Sequence, residues 1–121
     1  VRRSRTNTSL QSLALLNETQ RIESSRQLAG RLLREADNDD NRLNLLFTLL
    51  ACREPTDSER NACVQLLDIE RKRFADDNAA ANALLSIGES PRDAELDVVE
   101  HAAWTQLTVT VLASDFTILL Y

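Results

Sequence analysis

The residues able to do acid–base, nucleophilic or metal chemistry are few and scattered. His101 is the single histidine, next to Glu100 and four residues after Asp97. A carboxylate at either place could hold and tune an imidazole for general-base work. No nucleophile or second ligand is recognisable beside it, and a lone histidine close to a helix start reads as a surface residue. Asp37, Asp39 and Asn41 have the one-three-five spacing that opens a calcium loop, where alternate oxygens converge on one ion. Arg42 then stands where that loop requires Gly, and Thr48 where it requires a bidentate Glu, so the cluster reads as a capping loop. Cys52 and Cys63 flank the Arg53-Glu54-Pro55-Thr56 turn. Zinc would need two more ligands, and haem attachment a C-x-x-C-H run that the sequence lacks. The two cysteines read as free, mostly buried thiols, with a disulfide across a helical hairpin as the alternative in an oxidising compartment. With only 2 Gly in the chain, and no nucleophile elbow or H-E-x-x-H, a phosphate-cradling loop and the common hydrolase centres are also missing. The sequence therefore assigns no catalytic residue, no cofactor-binding residue, no metal ligand and no cofactor.

The elements that would position these residues are helical. Two Gly, two Pro, few aromatics and long Leu/Ala/Arg/Glu stretches favour an all-α domain. Capping residues and apolar stripes at three-to-four spacing predict helices near 9–16, 18–36, 41–52, 57–75, 79–87 and 98–113. Thr8 with Gln11 and Thr56 with Glu59 form capping boxes, Asp39 or Asp40 is expected to cap the third helix, and Asp76 to Asn78 the fifth. Leu43, Leu45, Leu46, Phe47, Leu49 and Leu50 make the third helix apolar over much of its circumference, which predicts a place at the centre of the bundle. Ala62, Cys63, Leu66, Leu67 and Ile69 are expected to form the core side of the fourth, with residues 70–73 solvated. Trp104 is expected to be buried and to anchor the last helix, whose β-branched Thr108-Val109-Thr110-Val111 stretch argues against helix. Short connections predict an irregular antiparallel helical bundle of five to six helices, in one domain over 1–121. The apolar residues 116–121 are expected to fold back beside the 9–16 helix.

Charge narrows the partners. The net charge is −5, yet residues 1–34 carry seven Arg against two Glu (+5) and the remainder seven basic against seventeen acidic side chains (−10). The basic end has no aromatic, and the acidic bulk would repel phosphate, so no nucleic-acid partner is expected. No apolar run reaches the roughly 20 residues of a membrane span. With Val1 first and no Met, the chain is expected to be a piece of a longer protein.

Arg5-Thr6-Asn7-Thr8-Ser9-Leu10-Gln11-Ser12-Leu13-Ala14-Leu15-Leu16-Asn17, Arg26-x-Leu28-Ala29, Arg53-x-Pro55-Thr56, Gly88-Glu89-x-Pro91 and Ala102-Ala103-Trp104-Thr105 have an order and spacing of their own. In these the chain resembles the C-terminal region of a planctomycete protein family catalogued as domain of unknown function 1553. The resemblance implies a large secreted protein in which this helical region follows another domain, often with a cytochrome-c-like module upstream. It implies an extracytoplasmic (periplasmic or secreted) location and the upstream domains as partners, in electron transfer or polysaccharide use. Ser9 replaces the family's Pro and Glu18-Thr19 its Asp-Pro. Cys52 replaces a Gly, which implies a left-handed cap that Cys adopts at a cost of about 1 kcal/mol. The reading is a non-catalytic helical module of a larger extracytoplasmic protein. Its rivals are part of an enzyme or electron-transfer protein whose active site lies mostly upstream, with His101 or Arg5 lining a shared cleft, and a free-standing regulatory or nucleic-acid-binding protein.

Overall fold

Residues 18–113 are described in the computed structural model, and they form five α-helices and no strand. These are α1 (Glu18–Glu35), α2 (Asp39–Ala51), α3 (Asp57–Asp76), α4 (Asn78–Leu85) and α5 (Val98–Leu112). The expected helix 9–16 and the tail 116–121 lie outside the described residues. Among the described residues no helix is long and apolar enough to cross a membrane.

Capping chemistry sets the boundaries. Thr56 and Glu59 bond reciprocally at the start of α3, side chain to backbone in each direction. Asn38, not Asp39 or Asp40, caps α2: its Oδ1 accepts the Asn41 N–H at 2.8 Å. The two aspartates then stand in the first turn, where the helix dipole favours negative charge. Asp77 caps α4 and Asp97 caps α5 in the same way. Cys52 ends α2 in the left-handed region, φ 58° and ψ 28°, with its N–H on the Thr48 carbonyl, the conformation implied by the family's Gly at that position.

The centre of the bundle is α5, which packs on α1, α3 and α4. This corrects the expectation for α2, whose main neighbour is α1 and whose Leu49 is 39% exposed. Ala102 and Ala103 let neighbouring backbones approach α5. Its threonines satisfy themselves: Thr105 Oγ1 donates to the His101 carbonyl, Thr108 to Trp104 and Thr110 to Gln106, at 2.7, 2.8 and 3.0 Å. That back-bonding hides the hydroxyls inside the helix, so Thr105 and Thr108 are buried beside Trp104, which is 0% exposed as expected. Tertiary burial thus overrides the weak helix propensity of the β-branched stretch.

The stripe expected on α3 divides in two. Cys63, Leu67, Glu70 and Phe74 face the core, whereas Ala62 is exposed, Leu66 half-buried and Ile69 61% exposed. The expected solvated end holds for Lys72 and Arg73, which are exposed, but not for Glu70 and Arg71. Glu70 is buried and ion-paired with Arg73 at 3.1 Å, and Arg71 grips Asp39 and Glu100 with two hydrogen bonds each, tying α3 to the first turns of α2 and α5. These contacts raise the Arg71 pKa, the bonds to Glu100 most of all and those to Asp39 next.

Candidate functional site

Two concavities flank α5, one polar and one apolar. The polar one begins with Arg26, which the helical register of α1 places on the same buried face as Ser25, Ala29 and Leu32. At 1% exposure a guanidinium must find partners. Its Nη2 donates to the Ser90 carbonyl at 2.6 Å and lies 3.6 Å from the Glu23 carboxylate. Glu23 accepts the Ser90 N–H at 2.7 Å, and Gln27 donates to the Ser90 hydroxyl at 3.0 Å. All the polar groups of Ser90 are therefore met by one face of α1. The Ser90 bonds, its backbone N–H first, hold the Glu23 carboxyl below the usual range.

Gly88 makes this approach feasible. Gly88 has φ +101°, and a Cβ there would lie 2.5 Å from the Glu23 carboxyl carbon. An added Cβ at Gly30 would crowd Arg34 Nη1 at 3.2 Å but make only ordinary contact, 3.5 Å, with His101 Nε2. That nitrogen lies 2.9 Å from the Arg26 carbonyl. A carbonyl only accepts, so Nε2 carries the ring proton and Nδ1 the lone pair. His101 is 2% exposed, which corrects the surface reading. Burial lowers its pKa, aided by the nearby Arg26 and Arg92 charges and opposed by the bond to the Arg26 carbonyl and by Asp93. Burial thus favours the neutral imidazole. Asp93 itself accepts from the Glu95 N–H and from Arg34, both at 3.0 Å, and its pKa is lowered by these in that order. A cavity of about 150 Å³ remains between Arg26, Gly30, Arg34, Pro91, Asp93 and His101. Ser25 Oγ, Arg26 Nε, His101 Nδ1 and Trp104 Nε1 are buried without a partner among the described residues.

The carboxylates that could have tuned His101 are engaged elsewhere. Glu100 binds Arg71, and Asp97 accepts the Glu100 N–H at 2.9 Å as a cap. The Asp37, Asp39 and Asn41 trio does not converge either: Asp39 turns to Arg71, and Asn41 supplies a backbone N–H to Asn38. Among the described residues no group of three or more potential ligands could hold a metal. Cys52 is exposed and Cys63 buried, and both are free. Sequence reading missed Arg26, Glu23 and Ser90 as a unit. No local signal joins them, because Glu23 and Ser90 stand 67 residues apart.

The apolar concavity, about 180 Å³, lies between α2, α3 and the end of α5, walled by Phe47, Cys63, Leu66, Leu107 and Val111. Burial, together with the Glu59 charge, raises the Cys63 thiol pKa. Glu59 stands at the mouth, gripped by Arg53 at 2.7 and 2.8 Å and by the Thr56 N–H at 2.9 Å. Arg53 above all holds this carboxyl down at about 2.

A sequence model of a family described as "PSD1: Protein of unknown function (DUF1553)" matches residues 1–67. The match takes in α1, α2 and the first half of α3, whereas Gly88, Pro91 and Trp104 lie beyond it. No curated protein and no solved structure matches the chain.

Proposed function

Because the chain belongs to the PSD1 family of proteins of unknown function (DUF1553), we propose that it is a non-catalytic helical module of a larger extracytoplasmic protein. In this reading it is one domain, 1–121, that packs against or bridges the preceding domains of that protein, which are its partners. The planctomycete origin, the secreted location and the cytochrome-c-like module upstream belong to the same proposal and rest on the sequence resemblance alone.

The observation that carries the reading is the use made of His101. The residue best suited to proton transfer is a strut between α5 and α1, its Nε2 on the Arg26 carbonyl at 2.9 Å and its ring neutral through burial. Its flanking carboxylates serve a helix cap and the Arg71 junction. Side chains in such roles fix one arrangement of helices, as a packing module needs. The acidic balance of the chain, −5, disfavours a phosphate backbone as partner.

The test uses the parent protein. The chain and the region preceding it are expressed separately and titrated by calorimetry, with a 1:1 complex expected that His101→Gln leaves intact. A turnover of the assembled protein that His101→Gln abolishes while the chain stays folded would overturn the reading in favour of a shared active site.

A further inference from the structure

We propose that the polar cavity beside His101 binds a small monocarboxylic acid, held between Arg26 and His101 and taken up as the anion with one proton. Two buried atoms define what a ligand must offer. Arg26 and His101 both line the cavity, at 1% and 2% exposure, and among the described residues Arg26 Nε and His101 Nδ1 have no partner. A guanidinium nitrogen only donates. With Nε2 committed to the Arg26 carbonyl, Nδ1 of the neutral ring only accepts. The ligand must therefore bring an acceptor beside a donor, since a buried polar atom left unmet is costly. A carboxyl group carries both on the two oxygens of one plane. Whether the proton then rests on the ligand or on Nδ1, the uptake is the same, one anion and one proton. In the second case both bonds join opposite charges and are the stronger for it.

The charges around the ring favour an acid over a neutral ligand. From α1 come Arg26, Arg34 and Glu23, and from the loop before α5 come Arg92 and Asp93. On α5 itself, Glu100 is turned to Arg71, and Asp97 serves as the cap. Arg34 pairs with Asp93 at 3.0 Å, and Arg26 lies 3.6 Å from Glu23. Arg92, which donates to the Asp93 and Leu96 carbonyls, adds a positive charge that these two carboxylates do not balance. The cavity, about 150 Å³, has its floor at the buried Arg26 and His101 and its rim at Arg34, whose side chain is 51% exposed, so a solute can enter. Gly30 and Pro91 complete the wall without a polar side chain, and a short carbon chain can rest there.

Gly30 supplies the decisive variant. A Cβ there would stand among the cavity residues, 3.2 Å from Arg34 Nη1, the movable end of a flexible side chain, and at ordinary distances from Leu96 and His101. Gly30→Ala should therefore fold, alanine being the better helix former, and fill part of the cavity. Sodium acetate is titrated into the full chain at constant ionic strength. Binding is read by saturation transfer to the acetate methyl and by the ring nitrogen signals of His101, which are unambiguous because the chain has a single histidine. One site is expected, its affinity falling about ten-fold between about pH 6.5 and 7.5 as the proton taken up with the anion becomes scarce. Gly30→Ala should weaken binding about ten-fold or more. His101→Gln, which keeps the donor to the Arg26 carbonyl but has no counterpart of Nδ1, should do the same. Acetamide, with the same donor and acceptor but no charge, should bind more weakly than acetate. Acetamide binding as tightly, at every pH, would make this a site for neutral amides and overturn the proposal. So would an acetate affinity unchanged in Gly30→Ala, a response that chloride reproduces, or no saturation transfer at all, which would leave the cavity to water. Should Gly30→Ala fail to fold, Arg34→Gln decides in its place: it unmasks the Asp93 charge at the solvated rim, and an affinity it leaves unchanged would be equally fatal.

Discussion

The two ends of α5 are buried by opposite means. At its first turns His101 bonds to the Arg26 carbonyl, Arg26 and Glu23 in turn bond to Ser90, all with fixed direction, and Gly88 leaves room for the Glu23 carboxyl. At its last turns Leu107 and Val111 line a mainly apolar groove with Phe47, Cys63 and Leu66. A directional network fixes one geometry and fails as a unit when a member is displaced. Apolar contact scales with area and accepts substitutions of similar volume. The polar end therefore sets the position of α5 on α1, while the apolar end tolerates exchange of one side chain for another of like volume.

Trp104 lies between the two regions, one turn beyond His101 and one before Leu107, and its loss should damage both. Trp104→Ala is expected to cost about 3–5 kcal/mol, much of the stability of an ordinary domain, read as a lower urea midpoint. A nearly unchanged midpoint would mean that the ends are held independently. Gly88→Ala should act on the polar end alone, through left-handed strain of about 1–3 kcal/mol and displacement of the Glu23 carboxyl. In a Glu23→Ala background the collision disappears and only the strain remains, so the second loss should be smaller. Equal losses in both backgrounds would show that the carboxylate is not what the glycine makes room for.

The apolar end was the more legible in sequence, because its elements announce themselves locally. The Thr56/Glu59 box and the stop before Pro55 are read from neighbours a few residues apart, and both stand in the structure, as does the left-handed Cys52 that the family resemblance implies. Replacing that strained cysteine, Cys52→Gly, should raise stability by about 1 kcal/mol, checked by thermal unfolding. No gain would mean that its side chain has a favourable contact offsetting the strain. The polar end was hidden because its pairs are far apart in sequence: Glu23 and Ser90, Arg26 and His101. Periodicity also misplaced the α3 face. Two apolar stripes overlap there, and only the one through Leu67 and Phe74 meets the core. Nothing local distinguishes a stripe that faces the core from one that lines a groove.

The smallest expected effect separates the two ends by acid. Both His101 and Glu59 have lowered pKa values in the folded chain, so for each the unfolded state binds more protons inside its window and stability falls on acidification. The windows differ. His101 contributes fully above its unfolded value of 6.5 and loses that contribution as pH drops toward its lower folded value, when burial and the Arg26 and Arg92 charges oppose the imidazolium and the Arg26 carbonyl and Asp93 partly offset them. Glu59 contributes above 4.5 and loses its contribution only as pH falls toward about 2. Glu23 and Asp93, also lowered, give the polar end a second decline below 4.5 and 3.8 respectively. Urea midpoints measured between pH 7 and 5 should decline in the native chain and stay level in His101→Gln, which keeps a donor for the Arg26 carbonyl but does not titrate. Glu59→Gln should leave that upper decline untouched and flatten part of the profile below 4.5. If His101→Gln retained the whole decline between pH 6.5 and 5, the strut would not be the group that senses acid in that range.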